Sequence, residues 1–230
     1  MLLNAFRRTL PRSHSKPDEE RITMKIVKPS AKIISFTPKL EKLIEVAGRV
    51  CWKSEGRITK DSYKPFIESI KAKAHESVLE HGAISVRFIV DRGISHELVR
   101  HRVASFSQES TRYCSYNKDK FSGHVSFIDP RGGFPIMGKE RFALWKKSMR
   151  QAEKAYFALL ELQAAPQEAR NVLPNSLKTE LVVTANPREW RHIFKMRTAA
   201  GAHPQMREVM IPLLAKFKAK WPSLFGDIDV

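Results

Sequence analysis

The densest group of residues that could do chemistry lies between residues 96 and 117. Arg100, His101 and Arg102 are consecutive here, and a segment rich in hydroxyl groups follows them. Guanidinium groups bind phosphate and carboxylate groups bidentately, and hydroxyl and backbone N–H groups supply further donors. The pattern predicts a site for anionic ligands, to which the segment contributes Ser105, Ser107, Gln108, Glu109, Ser110, Thr111 and Arg112.

The two arginines would bind separate groups if they lie at the end of a helix, as the sequence predicts. Successive helical residues are rotated by about 100°, so Arg100 and Arg102 would hold two anionic groups or one extended ligand. The alternative interpretation is a solvated basic helix end, because cations are favoured beside the negative end of the helix dipole. Residues 100–102 alone leave both interpretations open.

The composition is that of an ordinary globular chain with an unusual charge. Of 230 residues, 42% are hydrophobic and 28% are charged, which allows a core and excludes a disordered or fibrous protein. No apolar run approaches the roughly 18–20 residues that a membrane span needs. The 41 Lys and Arg residues against 24 Asp and Glu give a net charge of +17. Such a charge attracts the phosphates of nucleic acids, anionic membranes or small ligands.

The elements that must position these residues alternate irregularly along the chain. Strands are predicted from Met24 onwards and over residues 84–90 and 179–185, where the side chains alternate or are of β type. Residues 104–124 show no period and are predicted to form a long loop. Helices are predicted over residues 39–50, 62–79, 94–103 and 138–164, with a short one at Pro166.

Two further helices are predicted from their start signals. Asn186 is followed by Pro187 and, three residues on, by Glu189, which is typical of a helix N-terminus. The last helix is predicted to begin near Pro204 and to bend or weaken at Pro212. No repeat is visible, so residues 24–230 are predicted to form a single α+β domain.

Residues 1–23 are predicted to be a flexible N-terminal extension. They contain scattered arginines and two prolines and lack the apolar segment of a secretory signal. A mitochondrial presequence, a long natural start and an expression remnant remain alternatives. The two cysteines have no C-x-x-C spacing, which argues against a disulfide scaffold or a zinc site and fits a reducing compartment.

Five segments in order resemble the signature of the flavin-dependent thymidylate synthases, the class unrelated to the cysteine-dependent enzyme. Arg100-His101-Arg102 followed by Ser110 matches the R-H-R-x(7)-S motif. The others are His75-Glu76 with Glu80-His81, residues 170–174 (RNVLP), Asn186 and Arg188 with His192 and Arg197, and His203-Pro204-Gln205. The first 60 residues match only loosely.

The resemblance implies the fold, the reaction and the ligands. The fold would be a mostly antiparallel sheet packed with helices, in a homotetramer whose sites lie at subunit interfaces. The reaction would convert dUMP to dTMP, with 5,10-methylenetetrahydrofolate as one-carbon donor, reduced FAD as hydride donor and NADPH to recharge the flavin. These ligands are anionic, which accounts for the net charge. A cytoplasmic enzyme is expected, with organellar targeting by residues 1–23 left open.

The resemblance also implies a role for individual residues. FAD would be bound by Ser77, Arg100, His101, Arg102, Gln108, Asn186, Arg188, His192 and His203. dUMP would be bound by Glu97, Arg100, Glu109, Ser110, Thr111, Arg112, Arg170 and Arg197. His75 would border the entrance for folate and nicotinamide, and no metal is expected. Glu97 is a departure, because some relatives carry Gln there, and an acid would accept from the ligand or pair with an arginine.

Arg197 is the predicted catalytic residue. Against the N3/O2 edge of uracil, its guanidinium would stabilise the negative charge that makes C5 nucleophilic. The structural alternative is a salt bridge on the last turn of a helix. Ser110 would need an adjacent base to act as a nucleophile, and the resemblance implies a binding role instead. Cys51 and Cys114 lack the motif of the cysteine-dependent class and are interpreted as packing or incidental residues.

Two other functions compete with this prediction. A nucleic-acid-binding protein would explain the charge, and Tyr113, Tyr116 and Phe121 could stack on bases, but no recognition motif appears. No nucleic-acid or membrane partner is therefore expected. An inactive homologue that retains the flavin is the second alternative, although the signature positions are intact.

Overall fold

The computed structural model describes residues 24–112, 116 and 123–230. The predictions for residues 1–23, Tyr113, Cys114 and Phe121 fall outside these ranges. The strands are β1 (Lys25–Val27), β2 (Ser30–Phe36), β3 (Ile84–Asp91), β4 (Ala104–Gln108), β5 (Ser126–Ile128) and β6 (Lys178–Ala185). The predicted first strand is thus two strands, separated at Pro29, which has no N–H to give to a sheet.

Helices α1 (Leu40–Cys51), α2 (Tyr63–Ala72) and α3 (Arg92–Leu98) precede the middle of the chain. Helices α4 (Lys139–Glu161), α5 (Pro166–Ala169), α6 (Pro187–Arg197), α7 (Pro204–Lys220) and α8 (Pro222–Phe225) follow it. Short 3₁₀ turns occupy Glu55–Arg57, Glu76–Glu80 and Arg170–Val172. No helix of these ranges is both long and apolar enough to cross a membrane.

The central sheet has four antiparallel strands in the order β2-β3-β6-β4. Strand β3 pairs with β2 and, over its whole length, with β6, so that Ile84 lies opposite Ala185. Strand β4 pairs with β6 at the edge, with Ala104 also opposite Ala185. A separate parallel pair joins β1 to β5. The prediction of an α+β fold with a mostly antiparallel sheet is confirmed at this level.

The core lies against one face of the sheet. Side chains on β3 and β6 alternate between buried and half-buried, as the period of two in their sequence predicts. Their buried face packs on aromatic and aliphatic residues of α6, α7 and α8, among them Trp190, Phe194 and Phe217. A second cluster lies under α4 and β5, around Phe127 and Tyr156. Tyr116 is buried in it, which removes it as an exposed platform for bases.

The predicted helix over residues 62–79 is wrong beyond Ala72. The chain turns there through Ala74, whose φ of 55° is left-handed, and it continues as the 3₁₀ turn Glu76–Glu80. The predicted helix over 94–103 begins earlier and ends at Leu98. Its start is fixed by Asp91, whose carboxylate accepts a hydrogen bond from the Ile94 N–H at 2.7 Å.

The predicted loop over residues 104–124 is wrong at its start, because Ala104–Gln108 is strand β4. Ala104 and Phe106 pack on the core while Ser105 and Ser107 are exposed, so the alternation exists but only two residues carry it. The long helix α4 and the short helix α5 match their predictions. Helix α7 continues through Pro212 to Lys220, so the proline does not end it.

Candidate active site

The junction of β6 and α6 positions one side of the site. Asn186 caps the helix, since its Oδ1 accepts a hydrogen bond from the Glu189 N–H at 2.8 Å, and Pro187 occupies the first turn. The predicted start of the helix is therefore confirmed. Eleven residues of helix then place Arg197 in the last turn. The cap fixes the register in which His192 and Arg197 reach the segment after α3.

Arg197 is held at three points by the segment that contains the Arg-His-Arg motif. Its Nη1 donates to Glu97 Oε2 at 2.6 Å, and its Nη2 donates to the Glu97 carbonyl oxygen at 3.0 Å. Its Nε donates to His101 Nε2 at 2.9 Å. The ion pair expected as the structural alternative is thus present, and Glu97 does pair with an arginine. One N–H on each terminal nitrogen of Arg197 is left for a ligand.

His101 is buried, with 5% of its surface exposed. Burial, together with the positive charges of Arg197 and His192, lowers the pKa of His101 to about 4. The imidazole is therefore neutral at pH 7. Its Nε2 accepts from Arg197, so its proton lies on Nδ1, which faces Glu189 Oε1 at 3.4 Å. Burial raises the pKa of the Glu189 carboxyl in turn.

A cavity of about 470 Å³ opens beside this network. Asn186, Arg188 and His192 from α6 and its cap line it, as does Lys195. The opposite side comes from the 3₁₀ turn after α2, where Glu80 accepts a hydrogen bond from Arg188 Nη1 at 2.6 Å and Glu76 lies 3.4 Å from Arg188 Nε. Two of the resembling segments therefore meet here. The ring of His192 also contacts His101 edge to face, with ring centroids 5.7 Å apart.

A second cavity, of about 320 Å³, contains the predicted nucleotide contacts Thr111 and Arg170. Arg170 Nη1 donates to the buried Thr111 hydroxyl at 3.2 Å. Arg92 and His96, from α3, line the same cavity. The Nη1 of Arg92 is buried without a hydrogen-bond partner among the described residues. An unpaired buried guanidinium N–H is costly and favours an anionic or carbonyl ligand.

Three further residues of the hydroxyl-rich segment, Gln108, Glu109 and Ser110, have internal partners. Gln108 Nε2 donates to Ser95 Oγ at 2.9 Å and to Thr179 Oγ1 at 3.2 Å. Glu109 accepts from Lys178 Nζ at 3.1 Å. The Ser110 hydroxyl accepts from the Arg112 N–H at 3.3 Å. In this arrangement Gln108 supports the sheet edge and does not point at the cavity beside His192.

Arg100 and Arg102 lie just beyond the end of α3, so the helical rotation assumed for them does not apply. Both side chains are exposed, and neither forms an ion pair with a residue of the described ranges. Ser77, on the 3₁₀ turn, is exposed as well. These three predicted flavin contacts are accessible to a ligand or to another subunit.

Two predicted residues lie apart from the network around Arg197. His75 stacks on Trp52, with ring centroids 5.8 Å apart, and lines a different cavity. His203 precedes α7 and packs against Phe134. Gln205, two residues later, is hydrogen-bonded to Asp91. No described contact joins His203 to Arg197.

Sequence reasoning missed several residues of the site. Glu189 was assigned to the helix start, yet it also faces Nδ1 of His101. Arg92 and Lys178 give no signal in the sequence, because a lone cation at the start of a helix or strand is common on any surface. Glu76 and Glu80 were noted only as part of a motif. Their spacing of four on one turn, opposite the cation at 188, is the signal that could have placed them together.

The comparisons with known proteins agree with this arrangement. The family model described as Thy1, thymidylate synthase complementing protein, matches residues 32–223. The flavin-dependent thymidylate synthase of Geobacter sulfurreducens is 31% identical over 202 residues, which cover 85% of this chain and 84% of the relative. The enzyme of the same name from Mycobacterium tuberculosis is 32% identical over 198 residues, covering 82% and 79%.

The fold is also that of a solved structure. The crystal structure of the UMP/dUMP methylase PolB from Streptomyces cacaoi, bound with 5-Br dUMP, superposes with a TM-score of 0.73 at 22% identity. The match covers 88% of this chain and 96% of the other, and at this identity it establishes the fold alone. With the family model and the curated relatives, the resemblance of the five segments is confirmed, and the chain belongs to the flavin-dependent thymidylate synthase family.

Proposed function

We propose that this protein catalyses the reductive methylation of dUMP to dTMP, with 5,10-methylenetetrahydrofolate as the one-carbon donor. The observation that carries the proposal is the placement of Arg197, which is fixed by Glu97 and His101 and keeps two N–H groups that have no partner among the described residues. The names of the relatives and the nucleotide bound to PolB support the choice of substrate.

Arg197 stabilises the developing charge on the pyrimidine. A planar guanidinium at the N3/O2 edge of uracil accommodates negative charge as C5 attacks the one-carbon unit, because its donors are already oriented. His101 stays neutral at pH 7 and accepts from Arg197, so it positions the guanidinium without adding a positive charge. Glu97 also positions the guanidinium through its ion pair with Arg197, and its carboxylate reduces the net positive charge that faces the ligand.

The residues beside Arg197 suit an anionic, planar cofactor, which fits FAD. The cavity between Asn186 and His192 offers amide, imidazole and ammonium donors, and Arg100 and Arg102 add guanidinium groups that lack an acidic partner in the described ranges. Asn186, Arg188 and His192 would hold the flavin from one side, and Ser77, Arg100, His101 and Arg102 from another. FAD supplies the hydride when it is bound in reduced form, and NADPH restores it.

The cavity that contains Thr111 and Arg170 would hold the nucleotide. Arg170 and Arg92 present guanidinium groups to it, and the Arg92 Nη1 is unpaired within the described part of the chain. Glu109, Ser110 and Arg112 belong to the same segment and would wrap the nucleotide with backbone N–H groups. Gln108 would contact FAD only if it exchanged its present partners, and His203 only across a subunit boundary.

No serine nucleophile is part of this mechanism. Ser110 is hydrogen-bonded to the Arg112 N–H, whereas His101 accepts from Arg197 and faces Glu189. His101 is therefore engaged elsewhere and does not act as a base for Ser110. The one-carbon unit would pass from folate to C5 of the pyrimidine at the methylene level, and the hydride of reduced FAD would complete the methyl group, with the enzyme holding both substrates.

The proposal also covers the oligomeric state, the compartment and the partners of the protein. We expect residues 24–230 to act as one catalytic domain, in a homotetramer in which exposed Arg100, Arg102 and Ser77 contact ligands held by a neighbouring subunit. His75 would border the entrance for folate and nicotinamide. We place the enzyme in the cytoplasm and expect no nucleic-acid or membrane partner.

An absorption spectrum of the purified protein, before and after addition of FAD and then dUMP, tests the proposal. Flavin bands that survive gel filtration and shift with dUMP are expected, followed by dUMP-dependent NADPH oxidation and dTMP formation. Flavin binding without turnover would instead identify an inactive homologue. A colourless protein whose binding to DNA falls steeply with salt would support the nucleic-acid alternative.

A further inference from the structure

A third cavity lies on the far side of the turn that carries Glu76 and Glu80. It measures about 500 Å³ and is lined by Arg49, Trp52, Arg57, Phe66, Lys73 and His75, together with Ser54 and Ser69. We call it the basic groove. No acidic side chain of the described residues lines it, so the formal charge of this lining is positive. The segment from 75 to 80 separates the groove from the cavity beside His192, because His75 faces one and Glu76 and Glu80 face the other.

The cations of the groove differ in their availability. Arg49 is already neutralised, since its Nη2 lies 2.9 Å from the buried carboxylate of Glu45 and its guanidinium lies over the ring of Phe66. The side chains of Arg57 and Lys73 are exposed and form no ion pair or hydrogen bond within the described ranges. Two unpaired cations on the rim of a cavity are available to bind an anion.

The tryptophan that lines the groove is more exposed than a role in core packing would require. Trp52 is 55% exposed and stacks on His75 at an interplanar angle of 26°. An exposed tryptophan beside cations is suited to a planar or aliphatic ligand that also carries negative charge. The combination distinguishes the groove from a merely basic surface.

The backbone adopts a costly conformation at the chain neighbour of each of these two ring-bearing residues, Trp52 and His75. Lys53 and Ala74 have φ values of 47° and 55°, the left-handed region that glycine normally occupies. Each closes its helix with the same pair of hydrogen bonds: Ser54 to Arg49 and Lys53 to Val50, and His75 to Ile70 and Ala74 to Lys71. These turns direct Trp52 and His75 to the same place. Such conformations persist where the surrounding structure holds them, often at ligand sites.

We propose that the basic groove binds the oligo-anionic part of a cosubstrate whose planar part reaches the active site. This inference rests on the proposed function, which requires cosubstrates of that kind. Two sources share the chemistry: the glutamate tail of methylenetetrahydrofolate and the phosphates of NADPH. Trp52 and His75 flank the ligand, and Arg57 and Lys73 bind its anionic groups.

The test measures binding by calorimetry on the full-length protein. The probes are tetrahydrofolate with one or five glutamates, NADPH and a free pentaglutamate peptide. Binding of the free peptide can be measured without flavin or dUMP. The variants are Arg57→Gln with Lys73→Gln, and Trp52→Ala. The matched control is Lys147→Gln with Lys154→Gln on exposed positions of α4, which changes the net charge equally.

We expect the groove variant to weaken the binding of one oligo-anion by about tenfold, the size of two lost ion pairs at exposed positions, while the control stays within about twofold. A loss that grows with the number of glutamates assigns the folate tail. A loss confined to NADPH assigns its phosphates. Equal affinities in the groove and control variants for every probe would overturn the proposal.

The proposed function fails in a separate way. A wild-type protein that shows neither flavin binding nor dUMP-dependent turnover would refute the proposed function, whether or not it binds the pentaglutamate peptide. Conversely, unaltered flavin spectra in the groove variants, together with unaltered probe affinities, would refute the groove and leave the reaction standing.

Discussion

Arg197 forms a structural ion pair and also keeps N–H donors without a partner among the described residues. Both properties determine how it can stabilise charge on a ligand. Glu97 and His101 occupy three of its five N–H groups, so the guanidinium plane is fixed before any ligand arrives. A fixed plane costs no reorganisation when charge develops on the ligand. Lysine at this position would offer a point charge on a flexible stem and could not keep all three bonds.

We therefore expect Arg197→Lys to retain flavin and to lose turnover by at least about a hundredfold, the usual effect of removing an oriented donor from a developing anion. The measurement is dTMP formation at saturating dUMP, with the flavin spectrum as the check on folding. Arg150→Lys, at an exposed position of α4, is the matched control. Turnover that stays within a few-fold of wild type would place the charge stabilisation on another residue.

The neutral state of His101 predicts a pH dependence of stability. The pKa of His101 is about 4 in the folded protein and 6.5 in the unfolded chain. Between these two values the imidazole is protonated in the unfolded state but mostly neutral in the folded state. Stability falls as the pH drops through this window, levels off below about pH 4, and the full effect is about 3 kcal/mol.

Urea unfolding of wild type and His101→Gln at about pH 7.5 and about pH 5 measures this effect. Wild type should lose about 2 kcal/mol more than the variant. Glu189 acts in the opposite direction, because burial raises the pKa of its carboxyl, but both proteins retain it. Equal losses in the two proteins would show that His101 titrates normally.

At the scale of elements, helices α1, α2 and α4 end in the same hydrogen-bonded turn. In each turn a residue other than glycine adopts the left-handed conformation that glycine favours. In α4 the turn is closed by Gln163, with a φ of 68°, through hydrogen bonds from Gln163 to Leu160 and from Ala164 to Leu159. The turns of Lys53 and Ala74 border the basic groove, whereas Gln163 is exposed and lies on a different helix.

Gln163→Gly should stabilise the protein by up to about 1 kcal/mol, because glycine adopts the left-handed conformation without the steric cost of a Cβ. Gly123→Ala is the control of opposite sign: its φ is 67° and its Cβ would meet no atom within 4 Å. It should destabilise by a similar amount through backbone strain alone. The midpoint of thermal unfolding reports both changes. A drop in stability for Gln163→Gly would mean that its side chain makes a contact worth more than the strain.

The elements also show what the sequence could predict. Strands β3 and β6 and helices α1, α4 and α6 follow from strong periodicity or a capping signal. Strand β4 was missed because it is short and its outward residues are serines, and the end of α2 was missed because no glycine marks the turn at Ala74. In the site, the resembling segments identified His101, His192 and Arg197 as site residues, whereas the contacts that join them appear only in the structure. The separation of His75 and the internal bonds of Gln108 depend on tertiary contacts, which no local pattern encodes.

At the scale of the whole molecule, the matched family model begins at residue 32 and the first of the resembling segments begins at His75. We therefore expect removal of residues 1–23 to leave dTMP formation and the unfolding midpoint within experimental error of the full chain. Size-exclusion chromatography with light scattering on both proteins serves as the control for assembly. A truncated protein that is inactive or altered in mass would show that the extension belongs to the fold or the assembly.

The strand order has a consequence for how the protein folds. Among the strands that the structure describes, β4, next to the Arg-His-Arg segment, pairs with β6 alone, and β3 pairs with β6 along its whole length. The partner strand lies 70 or more residues further along the chain, and contacts so distant in sequence form slowly because long loops must close first. Arg197 ends α6, the helix that follows β6, so its partners Glu97 and His101 cannot meet it until the chain has been synthesised as far as residue 197. The active site is therefore among the last parts of a nascent chain to assemble, and a ribosome stalled before residue 178 would hold a chain in which β2 and β3 can pair but β4 has no partner strand in the central sheet.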